Sequence, residues 1–418
     1  MSTEHAALKY LAVYAEPAGE TTFGVRHTTA ADFLAIPYME GSLKIDWDTE
    51  TLDPMLGTVH IDGASKKVLG RRKCSLVFDV PLHSHGASLD GENTVPTVSN
   101  WGLMRLLKIV FGGAASTTAP GAPTEVQATS TATLIKVTAG HGARFTRGGC
   151  IACDVAGTGQ IEIREIASIS TDDITVKEAF SAIPATGGIV RGGITFYPAN
   201  LGGAGDSAQF LYQGRELSKH FGFHGCNGSV ALAVDMKTGL SKLSFTLNGV
   251  NWDRLANHAG VTVPTYANVG VIRTIDAPLT VPLFGDTTRA PYCAADFKLE
   301  LAIAYEDVAC GSALNGQGIG GKVRMPGRPL VKGSFTHIFE DQDEMDDFEA
   351  RQDRSIYQQL GVLPGAAMLI SVPLAQFEQP KEAAIGAVDG EIVPFFGRPD
   401  TTGGTTDLET AAVRWHFV

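Results

Sequence analysis

Val230-Ala-Leu-Ala-Val-Asp-Met-Lys-Thr-Gly-Leu-Ser-Lys-Leu-Ser-Phe-Thr-Leu247 carries the plainest signal of fold class in the chain. Val230, Leu232 and Val234 alternate with small residues, and Leu243, Phe245 and Leu247 alternate again beyond Lys237-Thr-Gly239. A period of two places every second side chain on one face of a half-buried strand, and the glycine supplies the turn of a hairpin. The pattern has an earlier counterpart. Between Lys67 and Leu82, Cys74, Leu76, Phe78 and Val80 share one face, with Ser75, Val77 and Asp79 on the other. Composition agrees: glycine is abundant, at 48 residues, and charged residues make up only 19%. A mainly β chain is expected, and 418 residues suffice for two or three domains.

Upstream of the hairpin, Asn100-Trp-Gly-Leu-Met-Arg-Leu-Leu-Lys-Ile-Val-Phe-Gly112 predicts a short amphipathic helix. Asn100 can cap its start and Gly112 its end, while Leu103, Leu106, Leu107 and Val110 share a face. Residues 113–122 are small and almost uncharged, as in a linker. From there Val126, Leu134, Ile135, Val137, Ile161, Ile163, Ile166, Ile169, Ile174 and Val176 fall in short alternating runs broken by Gly and Asp. Residues 121–198 are therefore expected to be a small all-β module inserted into a first domain of 1–120 and 199–290. Gly-rich residues 200–206 return the chain to that domain.

Residues 291–418 echo the first domain. Leu299, Leu301 and Ile303 alternate; Gly327–Ile338 matches Gly70–Val80; a helix over Asp346–Leu360 is expected to match Trp101–Phe111, the two ending at Gly361 and Gly112. Each half is expected to close on a strand pair, Val230–Leu247 and Ile392–Phe417, the latter with Ala411, Val413, Trp415 and Phe417 on one face.

A net charge of −12 argues against gripping nucleic acid, which needs a basic footprint, but suits a surface past which DNA must slide. Six cysteines scattered through a long chain do not make a disulfide framework. The N-terminus lacks a secretory pattern and no apolar run reaches membrane-spanning length, so a reducing cytosol and no membrane are expected.

Chemistry-bearing motifs are few. Cys150-Ile-Ala-Cys153 has no second pair to complete a zinc site and sits among strand and turn residues, so two structural cysteines on a strand edge are expected. His83, His85, His220, His224 and Cys226 read as turn and surface residues. Gly316-Gln-Gly-Ile-Gly-Gly321 spells a dinucleotide fingerprint, but Lys322-Val-Arg-Met-Pro-Gly-Arg-Pro329 cannot form the helix that would receive a pyrophosphate. No nucleophile elbow, zinc-protease or phosphate-loop motif occurs. No enzyme, cofactor or metal site is expected. Residues 340–349 hold seven acids in ten positions. Asp341, Asp343, Glu344, Asp346 and Asp347 either complement a helix N-terminus or form an acidic strip facing DNA or a neighbouring subunit.

In this order of elements the chain resembles phage tail tube proteins (major tail proteins), in particular those carrying two tube-type β domains in one polypeptide. The resemblance rests on Gly70-Arg71 with Cys74–Val80, on the helix Trp101–Gly112, and on Phe221-Gly-Phe-His-Gly-Cys-Asn-Gly-Ser-Val-Ala-Leu-Ala-Val234 with its hairpin to Leu247. Ile166–Val176 and Pro184–Val190 are similar to small β modules common in tail proteins. The resemblance implies two β-sandwich domains, each with a flanking helix. It further implies rings, stacked into a tube, whose acidic lumen conducts DNA without binding it specifically. Two domains per chain imply a homotrimeric, pseudo-hexameric ring, with a homohexamer as the alternative, and an insertion that points outward. Residues 305–330 would order only when the next ring docks. Implied partners are the chain itself, tape measure, tail terminator and baseplate or tip proteins. The implied location is the virion tail, after assembly in the host cytoplasm. A tail terminator or decoration protein is the nearest alternative; a cytosolic enzyme or carbohydrate-binding protein using the histidines is a more distant one.

Overall fold

The protein is mainly β. The computed structural model describes residues 10–15, 23–29, 32–52, 68–83, 102–112, 117–118, 122–155, 157–198, 207–213, 219–236, 238–256, 272–273, 278–309, 319–324, 331–338, 343–385, 388–402 and 404–418.

Strands β1 (Tyr10–Ala15), β2 (Leu34–Ile36), β3 (Lys44–Leu52) and β4 (Val68–Pro81) precede helix α1 (Gly102–Phe111) and β5 (Thr117–Thr118). The inserted module holds β6 (Thr124–Glu125), β7 (Leu134–Lys136), β8 (Cys150–Cys153), β9 (Glu162–Ser170), β10 (Asp173–Val176) and β11 (Ile189–Gly192). The chain returns through β12 (Ile194–Phe196), β13 (Ala208–Gln213), β14 (Lys219–Asp235), β15 (Leu240–Gly249) and β16 (Asn251–Ala256). Next come β17 (Leu279–Thr280), β18 (Pro291–Tyr292), β19 (Ala294–Leu301), β20 (Tyr305–Ala309), β21 (Ile319–Arg324) and β22 (Val331–Ile338). Helix α2 (Asp343–Ala350), β23 (Asp353–Leu363), β24 (Ala366–Phe377), β25 (Lys381–Ile385), β26 (Val388–Gly397), α3 (Asp407–Thr410) and β27 (Arg414–Phe417) complete the chain.

The alternating stretches build one antiparallel run of eight strands in the order β3, β4, β15, β14, β19, β22, β26, β25. Its core face is a lattice of apolar side chains, including Leu76, Phe78, Val80, Val230, Leu232, Leu243, Phe245, Phe297, Phe335 and Phe395, all fully or almost fully buried. Rings stack along it, Phe78 on Phe245 at 5.5 Å and Phe297 on Phe395 at 6.1 Å between centroids. Each such side chain contributes roughly 1.5–3 kcal/mol by leaving water. Helix α1 packs on the same face through Leu103, Met104, Leu106, Leu107 and Val110. It stops at Gly112, which takes φ 111° and donates its N–H to the Lys108 carbonyl at 3.1 Å. Asn100, the expected cap, lies outside the described residues.

The long strand β14 serves two sheets. Its first part pairs with β13 and β16, its second with β15 and β19. The corner falls at Gly225, whose φ of 63° is one that side chains with a Cβ rarely adopt. A Cβ there would also meet Val250 at 2.6 Å.

The two halves share one hydrophobic core, which runs from Leu11 to Phe417, so they are repeats within a fused body. The expected second helix is shorter than its pattern suggested. It ends at Ala350, after which Arg351 adopts φ 52° and Ser355–Leu360 enter β23. Ile356 and Tyr357 favour a strand, and the six residues from Ser355 to Leu360 are all buried, which a one-faced helix does not provide. The expected closing pair over Ile392–Phe417 is also corrected. Strand β26 pairs with β22, β25 and the end of β24, whereas β27 pairs with β24 and β12.

The inserted module has its own sheet, β6-β11-β8-β9-β10-β7, closed by a bridge between Val126 and Val137, and its own core around Ile135, Ile151, Ile166, Ile174 and Val190. Its last strand ends at Gly192; Ile194–Phe196 already belongs to the main body. The CxxC strand β8 lies in the interior of this sheet, between β11 and β9, and is not an edge.

Candidate assembly surface

The eight-stranded run repeats itself. In the first half, strands β3, β4, β14 and β15 stand in the spatial order first, second, fourth, third; in the second half, β19, β22, β25 and β26 stand in the same order. A helix follows the second strand of each set, α1 after β4 and α2 after β22. The sets are joined by β14 against β19, from Val230 opposite Leu301 to Asp235 opposite Asp296. Among the described residues, β3 has no partner but β4, and β25 none but β26. The run thus ends in two open edges of the same kinds that meet at its middle.

The described residues of the face away from the core are mostly polar, and the hairpin β20–β21 stands beside its β3–β4 end. Its described charges nearly balance: Asp46, Asp48, Asp79, Asp235, Asp296 and Glu300 against Lys44, Lys73, Lys242, Lys298, Lys332 and Lys381, with Arg71 at the rim. Lysines sit beside acids: Lys242 reaches Asp79 at 2.9 Å and Lys298 reaches Asp296 at 3.9 Å. Lys73 opposes Asp48 and Lys332 opposes Glu300 across adjacent strands. The net charge of −12 is therefore not concentrated on this face.

The acidic segment divides. Asp341 lies outside the described residues, and of Asp343 only the backbone is described, in the first turn of α2. Asp346 is exposed. Glu344 and Asp347 are buried and face inward, Glu344 beside His337 at 3.3 Å and Asp347 against Arg354 at 2.7 Å. These two do not belong to a surface strip, because the short helix turns its second and fifth residues toward the sheet.

Of residues 305–330, the described parts form the hairpin β20–β21, with Tyr305 opposite Arg324. It is folded back on its own chain. Ile319 packs with Phe23 and Val250, and Lys322 donates to the Asn248 carbonyl at 2.6 Å. Ile319, Gly320 and Gly321 of the glycine-rich motif lie in strand β21 and not in a helix.

The remaining chemistry-bearing residues are interior. His83, His220 and His224 are buried, contrary to the expected surface placement; His85 lies outside the described residues. His224 is held between Gln209 and Asp253, each at 3.0 Å. Burial pushes the thiols of Cys150 and Cys153 up to about 12. Thiolate is the reactive form, so alkylation of the native protein with iodoacetamide at pH 8 followed by peptide mapping should mark exposed Cys293 and leave Cys150 and Cys153 unmodified.

One constellation was invisible in the sequence. Glu165 of the module meets Arg414 at 2.6 Å and Lys177 at 3.0 Å, and accepts from Ser371. His416 lies 3.5 Å from the same Ser371 hydroxyl and 2.9 Å from Thr195. Serine, histidine and glutamate together suggest acyl transfer. However, the carboxylate engages arginine and serine instead of orienting the histidine, and Glu165, Ser371, Arg414 and His416 are all buried. The arrangement fastens the module to β24 and β27. No protein-family model matches the chain, and no curated protein is significantly similar to it in sequence.

Proposed function

We propose that this chain is a phage tail tube protein, three copies of which close into a pseudo-sixfold ring that stacks into a DNA-conducting tube. The observation that carries the reading is the duplicated four-strand set in one half-barrel with two open edges. The β14–β19 seam inside the chain is a template for the seam between chains: β25 of one copy stands to β3 of the next as β14 stands to β19. Such a contact is heterologous, and closure removes both open edges of the run. Three copies supply twenty-four strands. At ~4.8 Å between strands the ring is at least ~37 Å across its backbone, which admits duplex DNA.

The polar face lines the channel on this reading. An acidic lining is not what its described residues offer; paired lysines and carboxylates replace it. Lys73, Lys242, Lys298 and Lys332 each stand beside or opposite an acid, which weakens their grip on phosphate. The module, fastened by Glu165 to β24 and β27 behind the half-barrel, stays out of the lumen. Tape measure, terminator and baseplate or tip proteins are the proposed tail partners, and the virion is the proposed location.

Electron microscopy and sedimentation of the full chain test the proposal. Three-subunit rings that stack around a central channel are expected. A species that stays monomeric at high concentration overturns it, and rings that never stack favour a tail terminator instead.

A further inference from the structure

We propose that His337, Glu344 and Glu391 bind a divalent transition-metal ion of the zinc type, which pins α2 to the sheet beside its β25 edge. His337 lies on β22 and Glu391 directly opposite it on β26, while Glu344 comes down from the first turn of α2. One ligand atom from each falls within 4.8 Å of the others: His337 Nε2 is 3.3 Å from Glu344 Oε1 and 3.9 Å from Glu391 Oε2. A tetrahedral ion with bonds of ~2.0–2.2 Å sets its ligands about 3.4 Å apart, so only a small rotation of Glu391 is needed.

The second observation is that two polar atoms here make no hydrogen bond. His337 Nε2 and Glu344 Oε2 make no hydrogen bond, although both side chains are more than nine-tenths buried. Buried polar atoms are rarely left so. Charge points the same way. Arg354 is taken by Asp347, and Glu382 stands opposite Glu391 across the β25–β26 ladder. Among the described residues, the two clustered carboxylates have one imidazole beside them to offset their charge. One imidazole nitrogen and two carboxylates suit zinc, cobalt or manganese better than calcium or magnesium, which take all-oxygen shells. The inference is independent of the tube reading, since it concerns the fold of one chain.

Untagged protein stripped with EDTA provides the test. Calorimetry with zinc alone should show one ion per chain, and cobalt should give the visible absorption of a nitrogen–oxygen tetrahedral site. His337→Gln and Glu391→Gln should each weaken binding by at least ~tenfold, a loss of the size that removing ligand support produces. Glu391→Gln preserves shape, so it keeps the test decisive if His337→Gln fails to fold. Absence of one-to-one binding, or equal binding by Glu391→Gln, overturns the proposal. So does a melting temperature that rises with protons near pH 5 but not with zinc, which would mean that a proton fills the site.

Discussion

Replacing Glu165 by alanine is expected to destabilise the protein by about 3–5 kcal/mol, the penalty for stranding one member of a buried ion pair. Arg414 is left with two carbonyls, of Leu408 and Glu409, but without a counter-charge, at a position that no water reaches. Denaturant unfolding followed by tryptophan fluorescence measures this, since the buried Trp415 lies in β27 between Arg414 and His416. Glu165→Met paired with Arg414→Met should recover part of the loss, because both charges are then gone, and the double-mutant cycle reports the coupling.

The same network sets an acid limit. Burial pushes the Glu165 carboxyl up, but Arg414, Lys177, His416 and the Ser371 hydroxyl more than reverse this and hold it at about 2. Burial pushes the His416 imidazole down to about 3. Both folded-state values lie below the unfolded ones, so both groups contribute stability at neutral pH that is lost on acidification. The histidine's share fades from about pH 6.5 downward, and the carboxylate's from about 4.5 toward 2. Stability should therefore fall below pH 6.5 in the native chain. His416→Gln should flatten the portion between about pH 6.5 and 4.5. A native profile that is flat down to about pH 3 would sink this account.

Local pattern made much of the fold legible. Strict alternation in Cys74–Val80 and Val230–Leu247 identified β4 and the β14–β15 hairpin, because a half-buried strand writes its two environments into alternate residues. Helix α1 was legible for the same reason at helical period. Strand β23 was not, since Ser355–Leu360 are buried on every side and carry no period to read. The repeat was visible as an order of elements, but its decisive form, the shared spatial order of two four-strand sets, depends on long-range pairing. The candidate sites were harder still. Acidic density drew attention to residues 341–347, yet Glu344 and Asp347 are buried by helix phase. The partners His337 and Glu391, like the Glu165 network, meet only through contacts distant in sequence.

Thr49→Pro is expected to weaken ring formation by about a hundredfold or more while leaving the monomer folded. In β3, the Thr49 N–H donates to the Asp48 carboxylate at 2.7 Å and so is not spent on the β4 ladder. Proline tolerates such an edge position, and it favours extended backbone in the residue before it. What it removes is a donor that would turn from the Asp48 carboxylate to the β25 edge of a neighbouring copy. One ladder bond is worth about 1 kcal/mol. A three-membered ring has three such seams, so the loss multiplies to about 3 kcal/mol, roughly a hundredfold in the assembly constant. The clash of the proline ring with an incoming strand adds to it. Asp48→Pro, one position away, should instead damage the monomer, because strand alternation turns that N–H toward β4. Sedimentation and circular dichroism separate the two outcomes. If Thr49→Pro still forms rings at wild-type concentrations, the β3 edge is not the seam, and the equivalence of the outer edges with the β14–β19 junction fails as a guide to assembly.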